Sequence, residues 1–319
     1  MLNPIKFLLT HQFKSPKAAN QNSGFTLIEL LVAMIVAALV ITPLLGFMIN
    51  ILSTDRREQA KSNSEQEIRT ALDYITQDLQ QAVYIYNDAG LTDIAGQLPP
   101  GNGEVGCADG GADKCQPVLA FWKREIKEDV IPVGADFDDA YVYSLVTYYL
   151  VEGNNPANGN TWSDAARIAR FEISGEVPDP TNANNILIEA DAGFEAFNLG
   201  GSGDLETKMG RWTKDANEDY DLNFGSLVLL DYIDKGTPDG NPPAAIGCTG
   251  DETRVPDDNA VDSFYACVDS GETYARVYLR GNALARFQPN DSDYNPNRAG
   301  SLFPTGIIQV QGSGSLFTR

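Results

Sequence analysis

The sequence predicts an α+β chain: one long N-terminal helix packed on an antiparallel β-sheet domain with long loops. Three observations lead there. An apolar run starts at Leu30 and reaches Leu52 with only Thr42 and Asn50 as clearly polar interruptions. Apolar residues then recur at Ile68, Leu72, Ile75, Leu79, Val83 and Tyr86, a helical period. Beyond residue 90, β-branched and aromatic runs alternate with Gly, Asn, Asp and Pro clusters, the pattern of strands and turns. The chain divides accordingly into a basic leader (1–24), a transmembrane helix (25–52), an amphipathic continuation (53–89) and a β-rich globular domain (90–319).

The apolar run comes first. As a helix its 23 residues span about 35 Å, enough to cross a bilayer. It is longer than a secretory h-region, and no Ala-x-Ala cleavage site follows it. Lys6, Lys14 and Lys17, with no acid among them, precede it, so the leader should stay cytoplasmic and the C-terminal bulk should be exported. Arg56, Arg57 and Lys61 on the far side weaken the charge count. Glu29 stands at the head of the run. An ionised group in a span costs at least ~2.5–3.5 kcal/mol, so it needs a partner or a use. No cation within this helix can reach Glu29 in lipid, which points to a chain end or another molecule. Pro43 has no amide hydrogen and should kink or open the helix, with Gly46 adding slack.

In the amphipathic continuation, Arg69, Asp73, Gln77, Asp78 and Gln80 fill the wetter faces. The apolar stripe should be the face on which the globular domain packs, and Asp88-Ala89-Gly90 should end the helix through a glycine cap. Strands are expected at 117–126, 141–152, 167–174, 224–233 and 274–279. Loops are expected at 96–116, 153–163, 176–185, 199–223, 234–263 and 288–300.

Charge and cysteine content narrow the function. The formal net charge is −21, and beyond the leader stand 20 of the 23 basic side chains and all 44 acidic ones. Such a domain repels phosphate backbones, which argues against nucleic-acid binding. Four cysteines, Cys107, Cys115, Cys248 and Cys267, all follow the membrane segment. They allow three connectivities, and the sequence does not choose among them. Local pairing is the simplest and would close loops worth roughly 2–3 kcal/mol each. A zinc site competes weakly, because neither pair has C-x-x-C spacing and no histidine lies nearby. Disulfides would agree with export to an oxidising compartment.

Catalytic constellations are missing from the sequence. The sole histidine, His11, lies in the leader, so the rest of the chain cannot build Ser-His-Asp or Cys-His chemistry. Acids that might hydrolyse glycosides are plentiful, but no spacing singles out a pair. Gly200, Gly201 and Gly203 lack the Lys-Ser/Thr that follows in a phosphate loop. We therefore expect no enzyme. One acidic pattern stands out: Asp215, Asn217, Asp219 and Asp221 offer oxygen ligands at every second residue, a candidate calcium site. Tyr220 and Ser226 occupy the positions of an EF-hand's glycine and glutamate, so that motif fails, and a solvated acidic loop is the simpler reading.

The segment Gly24-Phe25-Thr26-Leu27-Ile28-Glu29-Leu30, behind its basic leader, resembles the type IV prepilin signal of pilins and of type II secretion pseudopilins. The resemblance implies cleavage after Gly24 by a prepilin peptidase, methylation of the new N-terminus at Phe25, and an assembly role for Glu29. It also implies a pilin-like fold, with other pilins or pseudopilins and an inner-membrane assembly platform as partners. Some pseudopilins hold calcium in acidic loops, which lends the 215–221 pattern interest. The stretches 41–47 and 71–84, with Phe121-Trp122-Lys123-Arg124, are similar to cyanobacterial pseudopilins of hormogonium polysaccharide secretion. That narrower likeness implies a minor subunit serving polysaccharide export and gliding motility. It places the chain as a single-pass inner (plasma) membrane protein, its C-terminal domain in the periplasm or on a surface pilus. The competing class is a membrane-anchored carbohydrate-binding or glycan-cleaving protein, with Trp122, Trp162, Trp212, Tyr141, Tyr143 and Tyr148 as candidate sugar platforms.

Overall fold

The computed structural model describes residues 24–99, 115–152, 162–221, 226–236, 246–257, 262–289, 293–294, 300–314 and 316. The leader up to residue 23 and Cys107 lie outside them. The chain divides into two units between Thr54 and Asp55. In the first, helix α1 (Leu27–Gln80) runs through an apolar segment whose side chains are all exposed. Its backbone stays helical through Pro43 and Gly46, so of the kink or opening expected there the helix does not open.

The second unit starts with the rest of α1. Ala60, Ser64, Ile68, Ala71, Leu72, Ile75, Asp78 and Leu79 form its buried face. Here the structure corrects the sequence reading: α1 ends at Gln80, not near residue 89. Residues Ala82–Ile85 form β1, all four buried. Val83 and Tyr86 fit the helical spacing, but Val-Tyr-Ile is strong strand chemistry, and β1 pairs antiparallel with β2 (Cys115–Val133). The freed Gln80 carbonyl accepts the Ser313 amide at 3.0 Å, so the C-terminal segment closes the helix end. Gly90 is not a cap. It lies inside a short helix α2 (Asp88–Ile94), where its amide donates to the Asn87 side chain at 2.9 Å.

All strand pairs are antiparallel. A five-stranded sheet has the order β1-β2-β3-β4-β7, with β3 at Asp136–Val151, β4 at Ala166–Ser174 and β7 at Ser226–Ile233. A four-stranded sheet has the order β11-β10-β9-β8, with β8 at Thr253–Val255, β9 at Phe264–Asp269, β10 at Tyr274–Arg280 and β11 at Thr305–Gln311. The expected loops hold further elements: a hairpin of β5 (Val177–Asp179) and β6 (Asn182–Ile188), helix α3 (Leu205–Met209), and β8 itself. Both large sheets and α1 contribute to one core, in which Ile68, Leu72, Ile75 and Leu79 meet Phe121, Leu145, Ile168, Phe264, Val277 and Val310.

The close fit of α1 on the second sheet rests on glycine. A Cβ at Gly306, in β11, would fall inside Leu72 Cδ1 and 2.8 Å from Ile68 Cγ2. No larger residue fits there unless the Leu72 and Ile68 side chains or the helix shift. A glycine in a strand interior commonly marks such an approach of another element.

Candidate functional site

The N-terminal segment is built from its first turn. Gly24, Phe25 and Thr26 precede α1. The Thr26 hydroxyl accepts the Glu29 amide at 3.3 Å, and the Thr26 carbonyl accepts the amides of Glu29 and Leu30, both at 3.1 Å. Thr26 is thus the N-cap, and Thr26-Leu27-Ile28-Glu29 has the Thr-x-x-Glu pattern that signals such a start in sequence. Glu29 lies in the first turn, where a negative charge meets the positive end of the helix dipole.

Phe25 is 81 % exposed, and every large apolar residue from Leu27 to Leu52 is exposed on all sides of the helix. The most apolar 18-residue window of α1 has a mean hydropathy of 2.7, with none of it buried within the chain. A helix apolar all round needs lipid or other protein around it. Thr42 turns its hydroxyl back onto the Ala38 carbonyl at 2.8 Å, which hides that polar group next to Pro43.

Residues 19–45 match the prokaryotic N-terminal methylation motif. The chain therefore carries a type IV pilin-like prepilin signal, and among the described residues one helix is long and apolar enough to cross a membrane, which fits a single-pass, membrane-anchored protein. The match takes in Gly24, Phe25, Glu29 and Pro43 and stops short of the globular domain. No curated protein and no solved structure matches the chain.

The acidic pattern at 215–221 lies in a loop between α3 and β7. Asp215 Oδ1 accepts the Asn217 amide at 2.8 Å and its side-chain amide at 2.9 Å, a local turn contact. Asp219 pairs with Lys214 at 3.0 Å. Asp215, Asp219 and Asp221 do not bring carboxylate oxygens within 4.8 Å of one another. Asp215 and Asn217 line an open cavity of about 500 Å³ together with Glu195, Lys208, Arg211 and Lys214. Lys208, Arg211 and Lys214 give that wall three cations beside its acids.

Cys248 and Cys267 form a disulfide, with Cα atoms 5.3 Å apart. Cys115 is disulfide-bonded as well. With both its sulfurs so engaged, the Cys248–Cys267 site offers no thiolate to a metal. Among the aromatic residues considered as sugar platforms, Trp122, Trp212 and Tyr148 are buried. Trp122 donates Nε1–H to the Tyr86 hydroxyl at 3.0 Å and stacks edge-on with Trp212 and Phe197. Tyr141 and Tyr143 are exposed, and Trp162 is half-buried.

The sequence reading left Asp78 on a wetter face, yet it is the polar centre of the domain. It lies near the end of α1, buried, and reaches three strands. Its Oδ2 accepts Arg170 Nε–H at 2.6 Å and the Tyr148 hydroxyl at 2.7 Å, and Oδ1 accepts Lys123 Nζ–H at 3.3 Å. Glu172 closes the group, 2.6 Å from both Lys123 and Arg170. Burial pushes the Asp78 carboxyl up, but the Arg170 hydrogen bond and the charges of Arg170 and Lys123 outweigh it and hold the group below the usual carboxylate range. Every charge here is answered, so the network fastens the helix to the sheet and leaves no reactive group. A second buried group is less balanced: Arg280 Nη2 lies 2.7 Å from both Asp234 and Asp262. Burial raises the Asp234 carboxyl above its ordinary value in spite of Arg280.

Proposed function

We propose that the chain is a minor pilin-like subunit of a type IV pilus-like or type II secretion-like assembly, serving polysaccharide secretion and gliding motility. The observation that carries this reading is the N-terminal segment: a methylation motif whose helix starts at Thr26, with Glu29 in its first turn and no protein contact along its apolar length. In this reading a prepilin peptidase cuts after Gly24, and Phe25 becomes the methylated N-terminus. The Glu29 carboxylate then pairs with the amine of Phe25 in its own or a neighbouring subunit. In a low-dielectric setting that pairing is far stronger than in water. It offsets the cost of holding Glu29 in an apolar layer and favours one axial register between subunits. Other pilins or pseudopilins and an inner-membrane assembly platform are the partners. The disulfides agree with a domain held in the periplasm or on the cell surface.

Mass measurement of the N-terminal peptide from the membrane-bound chain tests the processing. A peptide starting at methylated Phe25 is expected; an intact Met1 or a cut beyond Leu52 would sink the reading. Glu29→Leu should leave the chain in the membrane fraction and remove it from sheared filaments. Incorporation at the wild-type level would refute the role of Glu29.

A further inference from the structure

The β2–β3 hairpin outgrows its sheet. β1 pairs with β2 only at residues 82–85 against 121–123, and β4 pairs with β3 only from Ser144 onward. Beyond these limits the two strands continue as an arm, turning at Gly134, whose φ of +67° suits glycine. Among the described residues no third strand pairs with the arm. One of its faces is closed: Ala140 and Val142 pack with Val177, Leu187 and Ile188 of the β5–β6 hairpin. The opposite face is only partly covered: Phe197 packs edge-on against Tyr143, with ring centroids 5.1 Å apart, and the Arg124 guanidinium lies 4.5 Å over the Tyr141 ring, which leaves Ile126, Phe137 and much of Tyr141 to solvent. Ile126 stands across from Tyr141, and Arg124 from Tyr143. Strand alternation brings Phe137 to the same side as the two tyrosines. Ile126, Phe137 and Tyr141 are 50–60 % exposed, far more than large apolar groups gain from standing in water.

Charge says what covers this face. The tip from 128 to 139 carries Glu128, Asp129, Asp136, Asp138 and Asp139, all exposed, and no Lys or Arg. Lys127, the nearest cation before it, is bound to Glu125 at 2.5 Å. A second copy is a poor occupant, since this chain carries nearly twice as many acids as bases. An anionic lipid surface is repelled for the same reason. We propose that this partly covered face of the β2–β3 arm is a docking surface for another protein, one that presents an apolar segment flanked by lysine or arginine. The apolar row supplies the buried centre and the carboxylates supply a charged rim, the usual division within interfaces. This surface does not depend on the filament reading of the N-terminus.

The probe is a fluorescent octapeptide of alternating lysine and valine, with a glutamate–valine peptide as control, titrated by anisotropy into the full chain in neutral detergent micelles. The lysine peptide should bind, more weakly as salt rises, and the glutamate peptide should not. Phe137→Ser with Tyr141→Ser should weaken binding at least tenfold. Glu128→Lys with Asp139→Lys, the acids that alternate onto the side of Ile126 and Phe137, should reverse the preference between the peptides, while Asp251→Lys on another loop should leave it unchanged. Circular dichroism of each variant checks that these exposed substitutions leave the fold intact. Equal binding by the wild type and the double-serine variant overturns the proposal, as does no binding at all. A wild-type dimer in sedimentation that the double-serine variant lacks would assign the face to a second copy instead. Binding to phosphatidylglycerol vesicles that this variant loses would assign it to a membrane. Either result overturns the proposal.

Discussion

Asp78 shows how a single side chain can fasten a helix to three strands. Removing it leaves Arg170, Lys123 and Tyr148 buried without their common acceptor. Asp78→Ala should therefore destabilise the domain by about 3–5 kcal/mol, the cost of breaking a buried ion pair on one side. Denaturant unfolding of the full chain in micelles measures it, and a loss below about 1 kcal/mol would mean that water takes over the carboxylate's part. The pH dependence has a definite sign. The folded Asp78 carboxyl titrates below its unfolded value of roughly 4, so its stabilisation is present above that pH. It is lost as pH falls through the lower folded value. Asp234 runs the other way: its folded carboxyl titrates above the ordinary value, so its contribution is present below roughly pH 4 and fades as pH rises through the raised folded value. Stability measured against pH should then fall on the acid side for the wild type, and Asp78→Asn should flatten that acid limb alone.

At the scale of elements, the contact between α1 and β11 is set by what is missing at Gly306. Adding one methyl there forces Leu72 or the helix to move. Gly306→Ala should cost about 1–3 kcal/mol, as overpacking does. Leu72→Ala alone should cost about 2–5 kcal/mol through the cavity it leaves. Combined, the two changes should cost less than the sum of their separate effects, because the new methyl enters the space that Leu72 vacates. Simple additivity would show that the two residues do not share that space. The same junction explains why the end of α1 was misplaced in sequence. Val83 and Tyr86 continue the four-and-three spacing of Ile68 to Leu79, and that period competes with the strand preference of Val83-Tyr84-Ile85. The decision is made by Phe121–Lys123, which pair with β1, and by Ser313, which takes the Gln80 carbonyl.

For the whole molecule, the Cys248–Cys267 bond ties the loop before β8 to β9 across a separation of 19 residues. On the chain-entropy model such a closure stabilises by about 3 kcal/mol. Replacing both cysteines by serine should lower the melting temperature of the globular domain while leaving the apolar helix in the membrane. An unchanged melting temperature would show that the loop is held by other contacts, such as the Arg276 ion pair with Glu252 at 2.6 Å.

Taken alone, the sequence determined the ends of this argument: the prepilin-like signal with Glu29, the bilayer-length helix, the buried stripe from Ile68 to Leu79, and the central strands around Phe121 and Val146. These are carried by local period and composition, which need no partner to be read. Only the tertiary structure decided the rest. Asp78 looked like a surface acid until Arg170 and Lys123, 92 and 45 residues away, were brought beside it. β9 and β11 were hidden because short strands are defined by their neighbours. Asp215, Asn217 and Asp219 alternate in sequence, but the contacts of Asp215 with Asn217 and of Asp219 with Lys214 are set by the folded loop. Tyr141 alternates with buried Val142 in a strand expected from the start, yet only the sheet's own limits leave its side of the arm exposed. Long-range pairing is a property of the folded chain, and a periodic pattern shows which face is apolar without showing what covers it.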